Sequence, residues 1–245
     1  MILMLKKRHI FLFIILIIGL ILGGGYYYLS QSYQPLAGNE QYLNQEKVSE
    51  HENYYLFQGS EKNDTAVIFY PGGKVEETAY APLADMISAA GYSTFLVKMP
   101  FNLAIFAKDR ADIILNQYGE DIENWYLAGH SLGGAMAASY LADNNLQKFA
   151  GIIFLASYPP QDVDFTNTNL KVLSINATED QVVDRNRLEA GRDNLPSDAI
   201  FNIIKGGNHA GFGNYGPQSG DGESSITKEK QWEITVNYIS QFIQN

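Results

Sequence analysis

A serine stands between two glycines in Gly129-His130-Ser131-Leu132-Gly133. The apolar run Trp125-Tyr126-Leu127-Ala128 leads into it, and small and apolar residues at helical spacing follow through Tyr140 and Leu141. The pattern predicts strand, sharp turn and helix, with Ser131 on the turn. Such a turn projects the hydroxyl into a cleft, where it can attack a carbonyl. Glycine at positions 129 and 133 avoids a collision where strand and helix approach closely. The helix after Ser131 aims its free N–H groups and positive dipole end at the hydroxyl. The Leu132 N–H is then placed to receive the negative charge of a tetrahedral intermediate. Five residues with this spacing arise by chance in a glycine-rich chain; the strand and helix around them are the context the chemistry demands.

A serine nucleophile needs a base, and the chain has four histidines. His9 lies at the membrane end, in the basic cluster before the apolar run, and His51 in the polar stretch ahead of the domain. His130 adjoins Ser131, and on a sharp turn its ring is expected to point away, into packing or a local hydrogen bond. That leaves His209 in Gly206-Gly207-Asn208-His209-Ala210-Gly211-Phe212, a glycine-rich loop after the last expected strand. A lone loop histidine is usually a solvated residue; here position and elimination favour the base.

An acid must fix the imidazole tautomer and stabilise its charge. Asn176-Ala177-Thr178-Glu179-Asp180-Gln181 directly follows an expected strand. Asp180 fits the strand–turn–acid pattern best, with Glu179 its competitor; either carboxylate could instead cap a helix starting near Val182. The second oxyanion donor is expected in Tyr70-Pro71-Gly72-Gly73-Lys74, with the Gly73 N–H first and the Lys74 N–H second, although Pro-Gly-Gly also reads as a plain turn.

These groups need a scaffold. Continuous apolar runs at 65–70, 93–99, 125–129, 151–156, 171–176 and 199–204 read as buried strands. Helical spacing covers 79–90, 104–118, Ser131 to about Asn144, 181–194 and 223–242. Residues 52–60 read as an edge strand. The alternation predicts an α/β fold, a mainly parallel sheet with helices on both faces and the site beyond the carboxyl ends of the strands. The short connection from Ser157 to Asn169 leaves no room for a substantial lid, so an open cleft is expected. Phe212, Tyr215, Pro217 and Asp221, in the 211–222 loop, are expected beside the site, shaping its pocket. The same loop also fits a surface position near the membrane. Phe101, Asn102 and Phe106 are further candidates for the cleft lining, and the two phenylalanines read equally as ordinary core. The spacing around Asp221 is a poor calcium loop, because alternating acidic ligands are missing.

Lys6-Lys7-Arg8-His9 precedes an uncharged apolar run at 10–22, followed by Gly23-Gly24-Gly25 and Tyr26-Tyr27-Tyr28. About 20 such residues cross a bilayer as a helix, with the basic cluster cytoplasmic and the tyrosines at the far interface. A cleaved signal peptide is the competing explanation, but no good A-x-A site follows. The expected organisation is a membrane anchor at 1–30, a polar stalk at 31–52 and a catalytic domain at 53–245. The expected location is the cell membrane, single-pass, with the domain on the extracytoplasmic side.

The chain has 245 residues, a formal charge of −10 and no cysteine. The length supports one sizeable core. The acidity argues against nucleic acid as a partner. The lack of cysteine excludes disulfides, thiolate metal sites and a cysteine nucleophile.

The order Ser131, Asp180, His209, with this alternation, resembles the α/β-hydrolase fold family over residues 54–245. The segments Tyr70-Pro71-Gly72-Gly73-Lys74-Val75-Glu76 and 206–216 are similar to a compact, lidless bacterial branch related to dienelactone hydrolases. Dienelactone hydrolases proper use a cysteine nucleophile and lack such an anchor, so their substrate does not carry over. The resemblance implies a serine hydrolase of carboxylic esters, acting on a small-molecule acyl substrate without metal or organic cofactor. An acyltransferase using the same three residues, or a catalytically silent binding protein on the same fold, are the alternatives.

Overall fold

The computed structural model describes residues 2–60, 64–143 and 146–245. The chain divides into two compact units, Met1–Ser32 and Tyr33–Asn245. The first holds helix α1, Ile2–Ser30, whose Phe13–Ser30 part is long and apolar enough to cross a membrane. The side chains of the basic cluster Lys6 to His9 lie outside the described residues.

Among the described residues the second unit is built on eight strands: β1 Val48–Glu50, β2 Tyr54–Phe57, β3 Thr65–Tyr70, β4 Ser93–Val97, β5 Asn124–His130, β6 Gly151–Leu155, β7 Lys171–Ala177 and β8 Ile200–Ile204. Their order in the sheet is β1-β2-β4-β3-β5-β6-β7-β8. The strands from β3 to β8 pair in parallel, and β1 and β2 run antiparallel at one side. Every residue of β3 is buried, as a central strand covered on both faces requires.

Alternate β3 side chains feed two cores. Val67 and Phe69 join Leu83 and Ile87 of helix α3 (Ala81–Ala89) and Trp232, Ile239 and Phe242 of the last helix, Lys228–Gln244. Ile68 and Tyr70 join Ile114 of Ala111–Tyr118 and Leu141 of Leu132–Asp143 on the other face. Each large side chain so buried contributes about 1.5–3 kcal/mol. A short helix α2, Glu40–Leu43, precedes α3; we call the remaining helices α4 (Ala111–Tyr118), α5 (Leu132–Asp143), α6 (Arg185–Gly191) and α7 (Lys228–Gln244). The expected end of α5 at Asn144 lies outside the described residues.

Several boundaries differ from the sequence pattern for local reasons. The expected helix at 104–118 becomes regular only at Ala111, whose N–H is capped by the buried Tyr70 hydroxyl at 3.1 Å. Upstream of it, Phe101 and Asn102 take left-handed φ values of 53° and 54°. The helix expected from 181 starts at Arg185, because Asp180 holds the Val182 and Val183 N–H groups in a turn and Asp184 caps α6. α7 starts late, at Lys228 behind its Thr227 cap, because the Ser225 N–H bonds to the Gly206 carbonyl. β2 is not an edge strand, since β1 covers it.

The stalk expected at 31–52 is corrected: from Tyr33 onward these residues belong to the second unit. Tyr33 bridges to Val75, Pro35 bridges to Tyr215, and Tyr33, Tyr42, Leu43 and Val48 pack on the core. Asn39 is buried, with its side chain bonded to the Thr78 carbonyl. Scattered apolar anchors in a polar segment carry no period, so composition alone conceals them.

Between β5 and α5 only Ser131 turns the chain. That turn works because a Cβ at Gly129 would collide with the backbone of Gly133 and Gly134, and one at Gly133 with the carbonyls of Tyr70 and Pro71. Replacing Gly133 by alanine therefore overpacks the strand–helix contact and is expected to lower unfolding free energy by about 1–3 kcal/mol. Urea unfolding with an unchanged slope measures this; a wild-type midpoint would mean that the contact yields easily.

Candidate active site

Ser131 has φ of +50°, in the left-handed region that a non-glycine residue adopts at a cost of about 1–2 kcal/mol. Neighbouring bonds hold it there. Its N–H donates to the Leu155 carbonyl at 2.9 Å, and its own carbonyl accepts from the Ser157 hydroxyl at 2.7 Å and the Gly134 N–H at 3.1 Å. The backbone of the turn is thus committed, and the Ser131 side chain lines a cavity.

His209 follows β8 on a loop tied down at each residue. Gly206, at φ +78°, donates its N–H to the Thr178 hydroxyl, and the Gly207 carbonyl accepts the Glu179 N–H. Gln231 of α7 grips Asn208 through both amide atoms, accepting its N–H at 3.1 Å and donating to its carbonyl at 2.8 Å. Asp221 accepts the N–H groups of His209 and Ala210 at 3.2 and 2.8 Å. The ring that results is 1% exposed, and its Nδ1 lies 2.8 Å from Asp180 Oδ2.

Asp180 is fully buried. Its Oδ1 accepts the Val182 and Val183 N–H groups at 2.9 Å each, which leaves Oδ2 for the imidazole. The capping and orienting readings of this residue are therefore one arrangement. An ionised carboxylate only accepts, so Nδ1 carries the proton and Nε2 keeps its lone pair. Nε2 is buried without a hydrogen-bond partner. Glu179 takes no part: its carboxylate accepts from the Thr178 hydroxyl at the surface.

Ser131 and His209 line the same cavity of about 380 Å³. Leu132, Ser157, Tyr158, Pro160, Val182, Val183 and Arg187 complete much of its wall, which is mainly apolar. The expected wall residues Phe101, Asn102 and Phe106 do not line it, and neither do Phe212 and Tyr215, which are buried in the core. Tyr158 and Pro160 come from the lid-less β6–β7 connection itself. Sequence reasoning missed the clamping roles of Asp221 and Gln231, because each holds another residue's backbone and leaves no spacing signature. Val182 and Val183, two and three residues beyond Asp180, carried a signal in that position.

Gly73 abuts Leu132, so close that a Cβ there would lie 2.8 Å from Leu132 Cδ2. The Leu132 N–H opens α5, where the first N–H groups lack intrahelical partners. The second choice, Lys74, is corrected: its N–H is spent on the Asn102 carbonyl at 2.7 Å.

His130 departs from expectation in one respect. Its ring is outside the cavity, yet it packs on the His209 ring at 4.5 Å between centroids. Its Nδ1 is hydrogen-bonded to the Tyr80 hydroxyl at 2.7 Å, and that hydroxyl accepts the Gly72 N–H. Burial, then the electrostatic repulsion of a second imidazole beside it at His209, pushes its pKa well below the ordinary histidine value of 6.5. It is a neutral wall behind His209.

A model of the alpha/beta hydrolase family matches residues 66–233. No curated protein matches the sequence. Among solved structures, a CIB-like hydrolase from Thermoplasma acidophilum is 18% identical, with 80% of this chain and 98% of that chain covered and a TM-score of 0.58. A monoacylglycerol lipase from Paleococcus ferrophilus is 15% identical, covering 78% and 100% at 0.58. A soluble variant of monoglyceride lipase from Saccharomyces cerevisiae, solved with a substrate analogue, is 12% identical, covering 81% and 94% at 0.57. At these identities the likeness is one of fold.

The buried neutral state of His130 has a thermodynamic consequence. As pH falls through 6.5, the unfolded chain takes up a proton that folded His130 refuses, so stability declines with acidification. His130→Gln is expected to flatten the melting-temperature profile between about pH 7 and 5. An unchanged slope in the variant would show that residue 130 protonates as easily folded as unfolded.

Proposed function

Because the chain belongs to the alpha/beta hydrolase family, we propose that it is a serine hydrolase cleaving a carboxylic ester through an acyl-enzyme. The observation that carries the reading is the buried His209–Asp180 pair at 2.8 Å, with an unpartnered Nε2, on the cavity that Ser131 lines. The lipases among the solved relatives support the ester class.

In this reading His209 Nε2 takes the proton as Ser131 Oγ bonds to the carbonyl carbon. The negative oxygen is held by the N–H groups of Leu132 and Gly73. The carbon–oxygen bond to the alcohol then breaks, and His209 returns the proton to the departing oxygen. Water, deprotonated by the same nitrogen, releases the acid and frees Ser131. Asp180 keeps the proton on Nδ1 and stabilises the imidazolium. All of these groups come from the protein. Helix α1 holds the enzyme in the cell membrane, with the basic cluster on the cytoplasmic side and the catalytic unit outside.

A fluorophosphonate probe is expected to label the wild type and to lose its site in Ser131→Ala; a folded wild type that stays unlabelled would remove the enzyme reading. Asp180→Asn should lower kcat on the order of 10³–10⁴-fold by disturbing the tautomer, while Glu179→Gln stays near wild type. Steady-state kinetics on a short chromogenic ester compare the two, and the reverse ranking would reassign the acid.

A further inference from the structure

Three large apolar side chains stand in solvent on the segment after β4: Phe101, Ile105 and Phe106, exposed by 44%, 59% and 55%. The Phe101 and Phe106 rings meet nearly edge-on at 6.0 Å. Phe101 is held there at φ +53°, a conformation that is costly for a bulky residue and is retained only where the surroundings impose it. Soluble surfaces seldom keep such a cluster without a use.

Its position gives the use. Leu103, between these residues, approaches Gly73, which in turn abuts Leu132 of the cavity wall. The Asn102 carbonyl accepts the Lys74 N–H at 2.7 Å, and the Lys74 carbonyl accepts the Tyr33 N–H at 2.7 Å. The Tyr33 carbonyl accepts the Glu76 N–H at 3.0 Å, so Tyr33 is strapped along the segment that carries Gly73. Only Gln31 and Ser32 separate Tyr33 from Ser30, the last residue of the candidate membrane span. A link of that length reaches no more than about 10–11 Å even fully extended. The covalent link thus limits how far the Lys74 segment, and residue 102 bonded to it, can lie from Ser30.

We propose that Phe101, Ile105 and Phe106 form a membrane-docking rim that seats in the lipid surface beside the cavity mouth. The substrate is then an acyl ester dissolved in that bilayer, passed along the rim to Ser131. The docking rests on α1 being a membrane anchor, and the substrate clause rests on the serine hydrolase reading.

The chain has no cysteine, so Phe106→Cys and, as control, Asp198→Cys on the exposed turn before β8 each take one environment-sensitive nitrobenzoxadiazole label. The labelled full-length chain is reconstituted in phosphatidylcholine vesicles with and without nitroxide-bearing phosphatidylcholine. Quenching at least about twofold stronger at position 106 than at 198 is expected for a side chain at the acyl boundary. Equal quenching overturns the docking rim, as does shielding of position 106 that depends on protein concentration and not on lipid, the mark of a second copy. A chain that does not float with vesicles overturns it through the anchor.

For the substrate clause, the full-length variant Phe101→Asn/Ile105→Ser/Phe106→Ser is assayed on two esters. The expected result is about a tenfold lower rate on a pyrene-labelled long-chain monoacyl ester in vesicles, with p-nitrophenyl acetate turnover and fluorophosphonate labelling unchanged. Equal loss on both esters, or none on either, overturns it. Lipid quenching at position 106 in a chain that fluorophosphonate never labels would sustain the docking and remove the hydrolase reading alone.

Discussion

The bond between His209 Nδ1 and Asp180 Oδ2 is the constraint from which the arrangement of the second unit follows. Both groups are sealed from water, where an unpaired charge is costly and a paired one must be well placed. The protein meets that demand with backbone. Two amides hold the far oxygen of Asp180, and the loop bearing His209 is fastened to β7, to Asp221 and to α7. The imidazole therefore has one orientation available, and His130 and Tyr80 close the space behind it.

The same economy governs the other half of the site. Ser131 keeps an unfavourable backbone conformation because β5, β6 and α5 each hold part of the turn. The glycines at 129, 133 and 134 let α5 lie directly against the ends of β5 and β3 and against Ser157. Strain at one residue is thus secured by packing across three elements.

Much of this was legible in the residues. The central strands announced themselves as uninterrupted apolar runs, and the turn at Ser131 by its glycines. Elimination singled out His209, and Asp180 was chosen for its place after β7; the structure brings these two side chains into hydrogen-bonding distance. What escaped the sequence shares a cause. Tyr33, Asn39 and Val48 are isolated anchors in a polar stretch, so no period betrays that the segment is folded. Asp221 and Gln231 act on other residues' backbone, which leaves no motif. Lys74 was a plausible donor until its N–H was found committed to Asn102, a contact between segments far apart along the chain.

The grip of Gln231 on Asn208 has a consequence in time as well as in space. Gln231 lies on α7, which follows every strand of the sheet in chain order, so the loop bearing His209 gains this support only after that helix has been made and has docked. A nascent chain leaving the ribosome amino end first exposes Ser131 and Asp180 before that support exists, so the seating of the His209 ring comes late.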